Sequence, residues 1–218
     1  MERRTLLKRL GHASLAAAPA IVTASASARA QVSPAPEKKR GPRDGYFPDV
    51  VLRTHENKQV RFYEDLIQGR IVVINMFYAR CEGICPGMTA NLVRVQRLMS
   101  DRIGRDIFMY SITLKPGQDS PAVLADYARA YKIGPGWQLL TGAPSDIEAL
   151  RRKLGFVDPD PVLDRTLSTH TGVVKYGNET LDRWGACPAM KAPQQIVKTI
   201  LIADHPKNLP FYKGGARS

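Results

Sequence analysis

The chain has 218 residues, with 32 Lys and Arg against 20 Asp and Glu, 44% hydrophobic and 24% charged residues. That is the composition of an ordinary globular protein, and it excludes intrinsic disorder and collagen-like repeats. The length suits one domain of about 100–200 residues with extensions, and three cysteines are too few for a disulfide-stapled miniature. The excess of basic residues is not interleaved with aromatics, and no recognition module accompanies it, so nucleic acid is not an expected partner.

The N-terminus reads as an export signal. A charged start (Arg3, Arg4, Lys8, Arg9) precedes an apolar centre from Leu15 to Val22, and Ala28-Arg29-Ala30 supplies a small-x-small cleavage pattern that would leave Gln31 first. Arg3-Arg4 followed by Thr5-Leu6-Leu7-Lys8 has the form of a bacterial twin-arginine signal. The stretch Leu15 to Ala28 is Ala-rich and falls short of the ~20 apolar residues of a spanning helix, so no transmembrane anchor is expected after cleavage. The expected organisation is a cleaved signal over 1–30, a flexible basic Pro-containing tether over 31–45, one domain over 46–206 and a flexible tail over 207–218. The destination is the bacterial periplasm, where cysteine redox state matters. Lys38-Lys39-Arg40 and Arg43 give the tether a positive field suited to an acidic protein partner.

Within the domain, Val50-Val51-Leu52 and Val60-Arg61-Phe62 flank the polar turn 54–58 and predict a β-hairpin. Ile71 to Phe77 is a continuous, β-branched-rich run, the pattern of a central strand buried on both faces. From Pro86 the period changes: Met88, Leu92, Val95 and Met99 recur at helical spacing until Gly104. A second strand, Ile107 to Ile112, precedes Ser120 as N-cap and Pro121 at the first position of a helix reaching Tyr131. A strand at Trp137–Leu140, a helix capped by Ser145 through Leu154, a strand pair at 173–176 and 180–184, and a helix from Pro193 to Ala203 complete the domain. Parallel units followed by an antiparallel pair predict an α/β sandwich.

The chemistry concentrates where the central strand meets its helix, in Cys81-Glu82-Gly83-Ile84-Cys85-Pro86. Ligands of open α/β sheets bind at the carboxyl ends of strands. A spacing of four lets one turn place both thiols on one side, and the helix N-terminus favours their thiolates. Two thiolates do not complete a metal site. Of the histidines at 55, 170 and 205, the first falls in the hairpin turn and the last near the C-terminus, whereas His170 sits in the polar loop Leu167 to Gly172 before the antiparallel pair. Two thiolates and one imidazole suit Cu(I), while structural zinc would want a fourth ligand. Cys187, in Ala186-Cys187-Pro188-Ala189-Met190, is expected to return towards the cysteine loop, as an accessory soft ligand, a resolving thiol or a buried free cysteine, with Met190 a weaker donor.

These residues resemble the Sco/SenC family of thioredoxin-fold copper chaperones, which serve assembly of the copper A centre of cytochrome c oxidase. The resemblance rests on the CxxxCP motif after the apolar strand, Asp119-Ser120-Pro121, Leu140-Thr141-Gly142 and the His170 loop. It implies a thioredoxin-like three-layer α/β sandwich with an added N-terminal β-hairpin. It also implies copper ligation by Cys81, Cys85 and His170, as Cu(I) first and Cu(II) second, and cycling of Cys81 and Cys85 as a redox pair. The implied partners are cytochrome c oxidase subunit II or another copper-site protein, and periplasmic copper carriers or thiol reductants, with a monomeric chaperone. One departure stands out: Lys115-Pro116 occupies the place of the family's Asp-Pro pair, and an ammonium there would favour thiolates and disfavour a divalent cation. A thiol-disulfide oxidoreductase that reduces partner cysteines without carrying copper is therefore the competing expectation. A thiol peroxidase is disfavoured, since Tyr78 and Ile74 stand where its Thr or Ser and its Pro belong.

Overall fold

The computed structural model describes residues 41–204. The signal over 1–30, residues 31–40 of the tether, the tail over 207–218 and His205 all lie outside the described residues. Residues 41–45 form a turn closed by the Asp44 N–H on the Gly41 carbonyl, and Arg43 pairs with the Asp182 carboxylate.

The sheet has seven strands in the order β2-β1-β5-β4-β3-β6-β7. The hairpin is β1 (Val51–Thr54) with β2 (Gln59–Arg61), and β1 joins the main sheet antiparallel to β5 (Trp137–Thr141). At the centre, β3 (Ile71–Phe77) runs parallel to β4 (Ile107–Thr113), which runs parallel to β5. On the other side, β6 (Val173–Asn178) pairs antiparallel with β3, and β7 (Arg183–Pro188) forms the edge. The crossovers are α1 (Cys85–Leu98) between β3 and β4 and α2 (Pro121–Tyr131) between β4 and β5. With α5 (Pro193–Leu201) these helices cover one face, and α3 (Pro144–Lys153) covers the other together with a single wide turn at Phe62–Ile67. This is the three-layer α/β sandwich with an N-terminal hairpin that the sequence predicts.

All seven residues of β3 are buried. Ile71 and Val73 face α1, α2 and α5, and Val72, Ile74 and Met76 face α3, so both layers rest on this strand. Each such side chain contributes about 1.5–3 kcal/mol by leaving water. Asn75 interrupts the run without penalty, because Ser111 on β4 donates to its Oδ1 at 2.7 Å and Trp137 on β5 donates to the Ser111 hydroxyl at 2.9 Å. That polar chain ties the three parallel strands together in register.

Several boundaries depart from the sequence pattern. The helix expected from Pro86 begins at Cys85, so this cysteine belongs to the helix itself. The third helix starts at Pro144 rather than after Ser145, with Ala143 as a cap that offers no side-chain bond. The last strand runs 183–188 rather than 180–184, so Cys187 lies within it rather than beyond it. The cause is the turn: Asp182 takes a left-handed conformation and the strand can resume only after it. Ser120 and Pro121 cap α2 as expected, with the Ser120 hydroxyl accepting from the Val123 N–H. The wide turn at 62–67 and the short helical turns Pro161–Asp164 (α4) and Leu167–His170 had no periodic signature to mark them.

Candidate metal centre

The carboxyl end of β3 delivers Tyr78 to Cys81 as a short loop, and α1 begins at Cys85. Asp119, 1% exposed, fixes that exit: its carboxylate accepts from the Ala79 N–H at 3.1 Å and from the Thr113 hydroxyl. The first residue of the Asp119-Ser120-Pro121 motif thus clamps the end of β4 to the chain entering the cysteine loop.

Cys81 and Cys85 are both buried, free thiols, but their surroundings differ. Burial pushes the Cys81 thiol up. Against this, its sulfur accepts hydrogen bonds from the Cys85 thiol, the Tyr78 hydroxyl and the N–H groups of Cys85 and Gly83, and together these hold it below the ordinary thiol range. Cys85 is fully enclosed; burial, and its role as donor to Cys81, push it up to about 12. Tyr78 is raised to about 12, because its hydroxyl donates to Cys81 and is partly buried beside it. The loop therefore offers one outer thiol with organised donors that favour its thiolate and one inner thiol whose proton is held more tightly. That asymmetry suits either a first nucleophile with a resolving partner or a first soft ligand with a second awaiting deprotonation by a metal.

Lys115 does not point away from this loop. Its Nζ lies 4.3 Å from the centre of the Tyr78 ring, the same ring whose hydroxyl bonds Cys81. Its charge meets the cysteine pair through an aromatic ring rather than by direct contact.

His170 ends the helical turn 167–170, and its ring is buried. Its Nε2–H donates to the Asp164 carbonyl at 2.7 Å, and the Arg151 guanidinium lies 3.1 Å from the same nitrogen. Arg151, 5% exposed, pairs with Asp164 at 2.8 Å and Glu148 at 2.8 Å and also donates to the Phe156 carbonyl at 2.7 Å. The Arg151 guanidinium, with a hydrogen bond from the Asp158 N–H, holds the Asp164 carboxyl far below the usual carboxylate range. The segment carrying His170 packs against the cysteine loop two residues later: a Cβ on Gly172 would stand 3.1 Å from Ile84 Cδ1. Among the described residues, no three His, Cys, Asp or Glu side chains converge as a metal-binding group. Cys81 and Cys85 are brought together, while the His170 imidazole is turned to Asp164 and Arg151.

Cys187 lies on β7 opposite Val174, in the same apolar cluster as Cys81 and Cys85, and burial raises its thiol. The Ala189 N–H donates to the Gly172 carbonyl at 2.8 Å, so the end of β7 is stitched to the His170 segment. Met190 lies over the first turn of α1, its Cε 3.4 Å from where a Gly87 Cβ would be. His55 instead serves β5: its N–H donates to the Leu139 carbonyl and its Nδ1 accepts from the Leu139 N–H. Tyr78, Asp119, Arg151 and Asp164 are parts of this region whose roles the sequence left unassigned; the position of Tyr78, directly after the buried strand, and the place of Asp119 in the Asp119-Ser120-Pro121 motif carried a signal, and Arg151 and Asp164 carried none.

The family model described as SCO1/SenC matches residues 51–179. A curated SCO1 protein homolog of Bacillus subtilis is 31% identical over 90 residues, covering 40% of this chain and 46% of that protein, so the match spans just under half of the curated relative. Among solved structures, yeast Sco1 with copper bound superposes with a TM-score of 0.56 at 19% identity, covering 74% of this chain and 98% of that one. BsSco, described as having a disulfide switch and as a member of the Sco family of cytochrome c oxidase assembly proteins, gives 0.57 at 21% identity, covering 71% and 90%. At these identities the structural likeness is one of fold.

Proposed function

The chain belongs to the SCO1/SenC family, and on that premise we propose that it is an exported copper carrier that holds Cu(I) with the Cys81 and Cys85 thiolates and the His170 imidazole. It delivers the ion to, or prepares, the copper A site of cytochrome c oxidase in the bacterial periplasm. The observation that carries this reading is the thiol pair at the start of α1, one thiol depressed and one raised, both in an apolar wall. Soft ligands in low coordination select Cu(I) over harder cations, and yeast Sco1 binds copper on the same fold.

In this reading the ion is cargo. Cys81 meets it first as a thiolate, Cys85 gives up its proton on ligation, and His170 completes the set after its Nε2 leaves the Asp164 carbonyl. The short packing between Gly172 and Ile84 keeps the segment that carries His170 beside the cysteine loop. Anaerobic Cu(I) titration of the reduced protein against a competing chelator tests the proposal. One ion is expected to bind, with affinity lost in the Cys81→Ser and Cys85→Ser variants and weakened in His170→Ala.

The competing reading is thiol-disulfide exchange, favoured by one observation: His170 is engaged by Arg151 and Asp164. The Cys81 thiolate would attack a partner disulfide and release one partner thiolate. Cys85 would then attack the mixed disulfide, leaving the partner fully reduced and Cys81–Cys85 oxidised. Loss of this exchange in Cys81→Ser with retention in His170→Ala separates the two readings.

A further inference from the structure

Away from the cysteines, the segment before β1, the end of α3 and the β6–β7 ribbon enclose a cleft of about 300 Å³. Its walls are aromatic and its polar groups are cations. Arg43 and Lys153 both lie on the Tyr46 ring, at 4.5 and 4.1 Å from its centre, and Arg43 stands 5.7 Å from the Trp184 ring. Lys175 enters from β6, its Nζ 5.5 Å from the Phe156 ring. Arg43 has the Asp182 carboxylate as its partner. Lys153 and Lys175 have no carboxylate partner among the described residues; Lys153 lies on a ring face and Lys175 lies between a ring face and Gly155, which leaves ammonium donors available to an anion.

We propose that this cleft binds an acidic, extended segment of a partner protein, with carboxylates on Lys153 and Lys175 and an apolar side chain between them against Trp184. Charge complementarity argues for the acid: a basic chain concentrates two uncompensated ammonium groups in one recess. Two features argue for a protein segment rather than a small ion. The lysines come from different elements, α3 and β6, so they suit carboxylates at separate positions, and the aromatic wall between them suits a side chain rather than water. A recess walled by rings also differs from the flat apolar face that enters a bilayer. The same strand that forms the cleft at Trp184 to Ala186 continues through Cys187 to the bond between Ala189 and Gly172. A partner seated here would therefore lie along the ribbon that ends at the His170 segment. The proposal does not depend on copper, since the cleft shares no side chain with the cysteine loop.

The test titrates the full-length protein with a hexaglutamate peptide carrying a central phenylalanine, followed by tryptophan fluorescence. Trp137 is 2% exposed, so the change reports Trp184. Saturable binding is expected, weakening with salt. The Lys153→Glu/Lys175→Glu variant is expected to lower affinity by about tenfold or more, a loss of about 1.4 kcal/mol. Arg94→Glu/Arg97→Glu, the same charge change at two exposed positions of α1, is expected to alter it less than about twofold. Lys153→Gln/Lys175→Gln replaces the reversal should that variant fold poorly. The proposal is overturned by absence of binding or by equal weakening in the two reversal variants. Displacement by inorganic phosphate at equal charge would mark a small-anion site, and tighter lysine-dependent binding to phosphatidylserine vesicles a membrane site; either would overturn it as well.

Discussion

Gly172 passes Ile84 so closely that a Cβ on the glycine would lie 3.1 Å from the isoleucine Cδ1, and its φ of +84° is one that side-chain-bearing residues rarely adopt. This contact joins the segment that carries His170 to the loop that carries Cys81 and Cys85. Gly172→Val is expected to destabilise the domain by about 1–3 kcal/mol, through backbone strain and the forced retreat of Ile84. Urea unfolding measures the loss, and an unchanged midpoint would show that the segment accommodates the side chain freely.

The thiol pair predicts an order of reactivity. A thiol reacts as its thiolate, so its rate climbs as pH rises through its pKa. Cys81, held below the usual range, forms its thiolate at lower pH than Cys85, which is pushed up to about 12. At a pH of about 8, iodoacetamide should label Cys81 at least about tenfold faster than Cys85, even allowing for the lower intrinsic nucleophilicity of a depressed thiolate. Peptide mapping of the metal-free reduced protein against time checks the order, and equal labelling of the two contradicts it.

Tyr78 and Lys115 form the next test. Removing the hydroxyl donor in Tyr78→Phe is expected to raise the Cys81 pKa, so that its labelling profile moves to higher pH; one unit is a tenfold change in thiolate at a pH below both values. Lys115→Asp removes the cation from the Tyr78 ring and is expected to shift the profile the same way by less, while strengthening Cu(II) binding. If Lys115→Asp moves neither quantity, the lysine's place on the ring carries no functional weight.

Asp119 carries a structural prediction. In Asp119→Ala the Ala79 N–H and the Thr113 hydroxyl lose their shared acceptor inside the protein. A cost of about 1–3 kcal/mol in unfolding free energy is expected from the unsatisfied groups, together with faster hydrogen exchange at Ala79. A variant as stable as the parent would remove Asp119 from the account of the loop.

How much of this was legible in the sequence follows from what each signal depends on. The buried run at 71–77, the helical spacing from Met88 to Met99 and the Ser120-Pro121 cap are local, and they give the layers and the position of the cysteine motif directly. The last strand was displaced because Asp182 adopts a left-handed conformation that composition alone does not announce. The Arg151 network was not legible. It joins α3 to α4 through the Arg151–Asp164 ion pair, 13 residues apart, and brings Arg151 beside His170, 19 residues on; a charged side chain in a helix such as α3 reads by pattern as solvated, whereas Arg151 is buried. The same holds for Lys115: its identity was visible, but its seat on Tyr78 depends on how β3 and β4 end side by side.

The central claim is that two thiolates and one imidazole of this chain hold Cu(I), and X-ray absorption at the copper edge of the anaerobically loaded protein tests it most directly. The account predicts sulfur scattering from two ligands and one nitrogen shell with imidazole outer-shell features. The His170→Ala variant should lose the nitrogen shell and the Cys81→Ser/Cys85→Ser variant should lose the sulfur. A loaded protein without sulfur scattering, or one whose spectrum is unchanged in the cysteine double variant, would contradict it.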